Sequence, residues 1–504
     1  LAIAIFAGAW SCTFEAFAQQ NAGEVALTIL HYNDFHSANI PYKVAKKDKS
    51  GNKVNVDVGG YAYLAAHINQ IRKSTPNTFL LHAGDDFQGA PVSTITHGRS
   101  QFEILNLVQP DAMTLGNHEF DYGRDTLRKF LSSVTFPVVS ANLFDTAAAA
   151  PFIPPWRIVK CGGLTIGVIG LSPVELPTLT LRDNIRGLVV RDPAAMTRGC
   201  VAELKRDFNV DMIVVLSHMG VENDSALAAN VDGIDVIVGG HSHTTLFKPL
   251  KVRGTWIVQA GSRGRFLGRL DLTYSRTQHA IVKGIGKLIE VRDDEVKPDS
   301  TVLKKVNEME RLVSAGLAEV IGTLESDWVR GHGPAESNVG DWMADAVRGY
   351  MKADVGFVNS GGIRKDMIAG PITLRDIWEI SPFGNELVSF SVTGRQLESM
   401  MKYQGEKDRE FCQVSGLIYA YDRKTKALTM TVGGAPVDPA KVYKVATSNF
   451  VASHISEVFG LSDSDIRVEA PIPAVIDRDV YIDLIRRQKN INSRLEGRIR
   501  ITGE

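Results

Sequence analysis

The chain has 504 residues, 44% of them hydrophobic and 22% charged, with a formal net charge of −1. That length predicts two domains, three at most, because single cores stop growing at roughly 250–300 residues. The neutral balance excludes the broad basic footprint of a protein that binds nucleic-acid polymers or anionic membranes, so an anionic substrate must be held by local cations, metal or arginine.

In chain order, residues 1–10 form an uncharged apolar run, and Ala16-Phe17-Ala18 has the A-x-A form of a signal-peptidase site. Residues 1–18 therefore read as the remnant of a signal peptide, which predicts an exported protein, periplasmic or secreted. The run is too short for a stable membrane span. Cys161, Cys200 and Cys412 lie beyond it without zinc-type spacing, so one disulfide is permitted and no framework is implied.

Residues 26–31 read as an opening strand, followed by Asn33-Asp34-Phe35-His36. In an extended chain Asp34 and His36 point to the same side, where a carboxylate and an imidazole can share one ion. Residues 43–53 read as an exposed, charged loop. Gly59-Gly60 then opens an amphipathic helix with Tyr61, Leu64, Ala65, Ile68 and Ile71 inward and His67 off that stripe, at the surface. Residues 79–83 form a second buried strand, released by Gly84 into Asp85-Asp86. Residues 112–115 form a third, ending in Gly116-Asn117-His118-Glu119-Phe120-Asp121. A fourth, 211–216, ends in Ser217-His218, and a fifth, 234–238, ends in Gly239-Gly240-His241-Ser242-His243.

Taken singly, each of these loops has a structural reading: aspartates begin helices and lone histidines sit satisfied in cores. Five repeats of strand, small-residue turn and ligand-type side chain have another explanation. Open α/β sheets place their ligands beyond the carboxyl ends of the strands. Five of the 12 histidines fall in these loops. The mix of Asp, Asn and His without Cys suits manganese, zinc, iron or a similar divalent ion. There are too many ligands for one tetrahedral ion, which predicts a pair.

Residues 291–319 are charged and helix-prone and read as a connector, with 302–317 an amphipathic helix. Beyond them, strand 355–358 leads to Asn359-Ser360-Gly361-Gly362-Ile363-Arg364, where the glycines allow close backbone approach and the arginine offers a forked cation. Thr373-Leu374-Arg375-Asp376 looks like a capped helix start. Ser381-Pro382-Phe383-Gly384-Asn385 precedes strand 387–392, helix 394–404 and strands 417–421, 427–432 and 442–446.

The set Asp34-x-His36, Gly84-Asp85, Gly116-Asn117-His118-Glu119-Phe120-Asp121, His218 and Gly240-His241-Ser242-His243 resembles the calcineurin-like metallophosphoesterases. Together with the Asn-x-Gly-Gly-Ile-Arg and Pro-Phe-Gly-Asn segments, the chain resembles the 5′-nucleotidase/UDP-sugar hydrolase family. The resemblance implies a four-layer α/β sandwich, the metallophosphoesterase domain, over 24–290. It also implies a mixed α/β substrate-binding domain over 320–504. Asp34, His36 and His243 would hold one divalent ion, Asn117, His218 and His241 the other, and Asp85 would bridge them. His118 would face the phosphate, paired with Asp121. Asn359 and Arg364 would grip the substrate, Phe383 would stack on the base beside Asn385, and Phe450 would be the second aromatic.

An alternative for Asp121 is the N-cap of a helix near 123–131. The sequence departs from the family at Ala335, where an arginine is usual and Arg330 is the nearest substitute. It departs again at 451–460, where a Gly-Gly-Asp-Gly loop is usual and Phe459 is a possible replacement aromatic. The expectation is an exported dinuclear-metal phosphohydrolase acting on nucleotides. The competing readings are a cyclic-nucleotide phosphodiesterase or sulfur-ester hydrolase on the same scaffold, and a periplasmic binding protein with a vestigial site.

Overall fold

A computed structural model describes residues 23–503 apart from 48, 49, 332, 409 and 410; the expected signal segment lies outside the described residues. The first half of the chain builds two six-stranded sheets. In the first, the strands run Ala280–Glu290, Phe266–Ser275, Glu24–Tyr32, Thr78–His82, Ala112–Thr114 and Val138–Val139. The last four of these are mutually parallel, and the first two extend the sheet antiparallel. The second sheet runs Leu250–Val252, Thr255–Val258, Val236–Val238, Met212–Ser217, Leu164–Leu171 and Trp156–Cys161, with its four central strands parallel.

Side-chain alternation explains the layering. Leu27 and Ile29 face Val214, Leu216 and Val236 in one core between the sheets. Leu30 and Tyr32, one residue out of phase, face helices Tyr61–Ser74 and Arg99–Val108. On the second sheet Ile213 and Val215 turn outward against helix Pro193–Phe208. Strands apolar on both faces must be covered on both faces, and the result is helix, sheet, sheet, helix, the expected four layers. Parallel pairing then sends the carboxyl ends of Glu24–Tyr32, Thr78–His82, Ala112–Thr114, Met212–Ser217 and Val236–Val238 to one rim.

Helix Ser300–Leu317 is capped by Asp299, whose carboxylate accepts from the Thr301 and Val302 amides. It lays Val302, Val306, Met309 and Val313 into the outer core of the first sheet. Each such burial contributes about 1.5–3 kcal/mol, so this segment is a docked helix and not a free tether. Two local expectations are corrected. Residues expected as a loop form the hairpin Tyr42–Lys47 and Lys53–Val58, where alternating Val54, Val56 and Val58 outweigh the lysines. His67, expected at the surface, is 6% exposed.

The second half carries its own two cores. Its central sheet runs Leu387–Thr393, Val442–Ser448, Val355–Asn359 and Cys412–Ser415. Helix Asn338–Met351, capped by Ser337, packs on it. Thr373 and Asp376 form a reciprocal capping box at helix Leu374–Ile380, as do Thr393 and Gln396 at helix Gly394–Gly405. Among the described residues no helix is long and apolar enough to cross a membrane.

Candidate metal centre and catalytic cavity

The five parallel strand ends converge. Asp34, His36 and His243 form one group of potential ligands, and Asp85, His218 and His241 another, the donor atoms of each lying within 4.8 Å of one another. Asp34 Oδ1 stands 3.3 Å from His243 Nε2 and 3.9 Å from His36 Nε2. Asp85 Oδ2 stands 3.1 Å from His218 Nε2 and 3.9 Å from His118 Nε2.

Backbone conformation brings them in. Asp34, His36, Asp85, His241 and His243 all have φ between 49° and 74°. Non-glycine residues seldom adopt this region, and such conformations persist only where surrounding structure holds them. The glycines beside them are fixed by close approach. A Cβ on Gly116 would lie 2.1 Å from Asp85 Oδ1, and one on Gly84 would lie 2.7 Å from the Gly116 amide nitrogen.

The donors are held and aimed by groups behind them. His218 Nδ1 lies 2.6 Å from the Ala83 carbonyl oxygen, so Nδ1 carries the hydrogen and Nε2 faces the centre with a lone pair. Asn117 Oδ1 is fully buried without a hydrogen-bond partner, and His218 Nε2 is buried facing the Asp85 carboxylate at 3.1 Å. Buried polar atoms are normally paired, and a bare amide oxygen beside an imidazole nitrogen and two aspartates fits a cation. The all-oxygen-and-nitrogen donor set fits a divalent ion of hard to borderline character. Asp34 also accepts from the His241 amide at 2.9 Å, which ties the first loop to the last.

Glu119 has a role that the sequence reading left unassigned. Its fully buried carboxylate accepts from the amides of Gly116 (2.7 Å), Asp86 (2.8 Å) and Asp85 (3.0 Å). It thereby clamps the Asp85 loop to the Asn117 loop. Burial, with Asp85 beside it, pushes its carboxyl up to about 7 against those amides. Its place in the hexapeptide was the only signal available, and that signal does not say what the carboxylate binds.

His118 Nδ1 lies 2.9 Å from Asp121 Oδ2. Burial lowers the imidazole, but Asp121 and Asp85 outweigh it and hold His118 above its ordinary value. Asp121 follows the short turn His118–Phe120, and Gly123 occupies the N-cap of helix Arg124–Leu131, so the capping alternative for Asp121 does not hold.

Asp85, Asn117, His118, Asp121, His241 and His243 reach the wall of a cavity of about 360 Å³. Asp34, His36 and His218 lie behind that wall. The opposite side comes from the second half of the chain, and all five expected substrate residues, Asn359, Arg364, Phe383, Asn385 and Phe450, line it. The Phe383 ring lies over His118, centroids 5.7 Å apart at 28°, with the Arg364 guanidinium 5.8 Å from the Phe383 centroid.

Two candidate substitutes do not reach the cavity. Arg330 is turned to Asp366 and to the Ile363 carbonyl. Phe459 is buried in the core against Phe357. Beside His454 and Glu457 of the departing segment 451–460, the sequence reading missed the wall formed by Glu175, Thr178, Leu179, Leu181 and Asn184. No motif marks these residues.

Comparison with known proteins agrees with this geometry. Residues 27–245 match the calcineurin-like phosphoesterase family, and residues 320–460 match the 5′-nucleotidase C-terminal domain. Endonuclease YhcR of Bacillus subtilis is 29% identical over 455 residues, covering 85% of this chain but 37% of that protein, so the chain spans little more than a third of this relative. The 5′-nucleotidase of Rattus norvegicus is 28% identical over 537 residues, 94% of this chain and 90% of that one. The crystal structure of a 5′-nucleotidase precursor from Thermus thermophilus superposes with a TM-score of 0.86 at 27% identity, covering 95% of this chain and 100% of that one. Both halves are matched in the same order, and the chain belongs to the 5′-nucleotidase family of calcineurin-like metallophosphoesterases, metal-dependent hydrolases of phosphoric esters.

Proposed function

We propose that the chain is an exported phosphohydrolase of nucleoside 5′-phosphates. Its first domain, 24–290, would perform the chemistry, and its second, 320–504, would hold the nucleoside. One observation carries this reading: a single cavity is lined on one side by the His118–Asp121 pair and the donor cluster and on the other by Phe383, Arg364 and Asn359. An ester that places its phosphate against the first side and its base against the second fits both. Export rests on the Ala16-Phe17-Ala18 signal alone.

Asp34, His36 and His243 would hold one divalent ion and Asn117, His218 and His241 a second, with Asp85 between them. Ions bound there supply Lewis-acid polarisation of the phosphoryl oxygens and a water of lowered pKa. The remaining work falls to side chains of this chain. His118, which Asp121 and Asp85 hold above its ordinary value, would donate from Nε2 toward the departing ester oxygen, a contribution of typically about 10²–10⁴-fold. Arg364 stays cationic in the cavity, since burial lowers it only to about 10, and it meets substrate oxygens with a fork of donors. Phe383 offers its face to the base and fixes affinity without reading the base edge. The intact donor set argues against a vestigial site.

The test is hydrolysis, followed by chromatographic separation of the products, by protein loaded separately with manganese, zinc or iron, of nucleoside 5′-monophosphates, diphosphates, cyclic phosphates, UDP-sugars and a sulfur ester. The reading requires nucleoside 5′-phosphates to be turned over with the highest kcat/KM. Preference for a cyclic phosphate or a sulfur ester would replace the substrate and keep the centre.

A further inference from the structure

One wall of the cavity is fastened across the two domains. The first domain contributes Glu175–Asn184, with the helical turn Leu176–Leu179 and the turn Arg182–Ile185. The second domain contributes Phe450, His454, Glu457 and Val458. These two stretches meet directly. His454 Nε2 lies 3.1 Å from the Pro177 carbonyl oxygen, a distance bridged by the ring N–H. Arg182 Nη1 lies 2.8 Å from Asp463 Oδ2, and Arg182 Nη2 lies 3.6 Å from Glu457 Oε2.

His454 also faces the other way. Its ring packs on the Phe450 ring, centroids 4.6 Å apart, and Nδ1 lies 2.9 Å from the Phe450 carbonyl and 3.1 Å from Ser453 Oγ. The side chain is 1% exposed. One imidazole thus touches the cavity's second aromatic with its face and first nitrogen, and the opposite domain with its second nitrogen. Asn184, on the same first-domain stretch, donates to the Asp121 carbonyl at 2.8 Å, so this wall is tied to the backbone of the catalytic pair as well.

We propose that His454 is a positioning residue that locks the Phe450 ring to the first domain, and that Arg182 is the second fastening of the same clasp. Phe450 then reaches its working position only while the domains are held closed. This rests on the reading of the cavity as a nucleotide site. His454 and Glu457 fall where the sequence departs from the family, at 451–460, so the loop that lacks the family's glycines and aspartate here grips the opposite domain.

The experiment compares His454→Ala, His454→Gln and Arg182→Ala in the whole, metal-loaded chain, by small-angle scattering without substrate and by steady-state kinetics on a nucleoside 5′-monophosphate. His454→Ala is expected to raise KM about tenfold, the loss of one positioned base-stacking contact, with kcat changed much less. Its radius of gyration should increase. His454→Gln keeps an N–H toward Pro177 and is expected to recover most of the KM. Arg182 is exposed and its loss does not threaten folding, so Arg182→Ala must also enlarge the scattering radius, even if His454→Ala fails to fold. Wild-type scattering in Arg182→Ala overturns the clasp, and so does a wild-type KM in a folded His454→Ala. Scattering does not depend on turnover: if no nucleotide is hydrolysed, an opened Arg182→Ala still upholds the clasp while the substrate reading falls.

Discussion

The two sides of the cavity are built on opposite principles. On the metal side every donor sits within a few residues of a parallel strand end, behind strained backbone and a fully buried clamp, Glu119. On the substrate side the wall is a turn, Pro382-Phe383-Gly384-Asn385, carried on a separate core. It is held from beneath by Asp477, whose amide donates to the Asn385 carbonyl at 2.9 Å, and by Arg478, which reaches the Ser381 carbonyl at 3.2 Å. The first side is fixed by one fold. The second takes its position relative to the chemistry from the meeting of two folds. On the proposed function, chemistry that tolerates little displacement would fall on the side fixed by one fold, and recognition, which tolerates more, on the side fixed by two.

Breaking the metal side should have the largest effect. Asp85→Ala removes the carboxylate between both donor groups; activity should fall by about 10³-fold or more. Metal content by elemental analysis should fall with it, and full occupancy in an inactive variant would refute the bridging role.

His118→Ala separates holding metal from using it. A kcat lower by about 10²–10⁴-fold with metal content near wild type is expected, whereas parallel loss of metal would make His118 a ligand.

The substrate side should yield less. Phe383→Ala removes stacking of roughly 1–3 kcal/mol, which should appear as a raised KM for nucleotides with kcat far less affected. An unchanged KM would remove Phe383 from recognition.

The smallest effect sharpens the comparison through pH. Burial raises the Asp477 carboxyl to about 7, with partial relief from the Arg478 amide and guanidinium. A carboxyl raised in the folded state binds its proton more tightly there than in the unfolded chain. Stability therefore falls as pH rises from the unfolded value toward the folded one. Between about pH 6 and about 7.5 the loss is about 1 kcal/mol. In urea titrations Asp477→Asn should lessen that slope by about this amount, and an unaltered slope would show that Asp477 does not contribute to it.

The legible parts of this chain share a property. Gly116-Asn117-His118 and Gly240-His241-Ser242-His243 carry ligand, turn and preceding strand in one short window, so local chemistry announces them. The same is true of the capping boxes at Thr373 and Thr393 and of the apolar stripe that seats helix Ser300–Leu317. Charge misled where it masked alternation, as in the hairpin ending at Val58. The off-stripe position of His67 gave no warning that other chain would cover it.

By itself the sequence determined the ligand types, their strand-end setting and the two-domain order, because each of these is encoded within a few neighbouring residues. Only the tertiary structure decided that Phe459 serves a core while His454 grips Pro177, that Arg330 turns to Asp366, and that Glu119 joins two loops. Those outcomes depend on which surfaces meet across hundreds of residues, and a side chain's partner at that separation is set by packing, not by its neighbours in the chain.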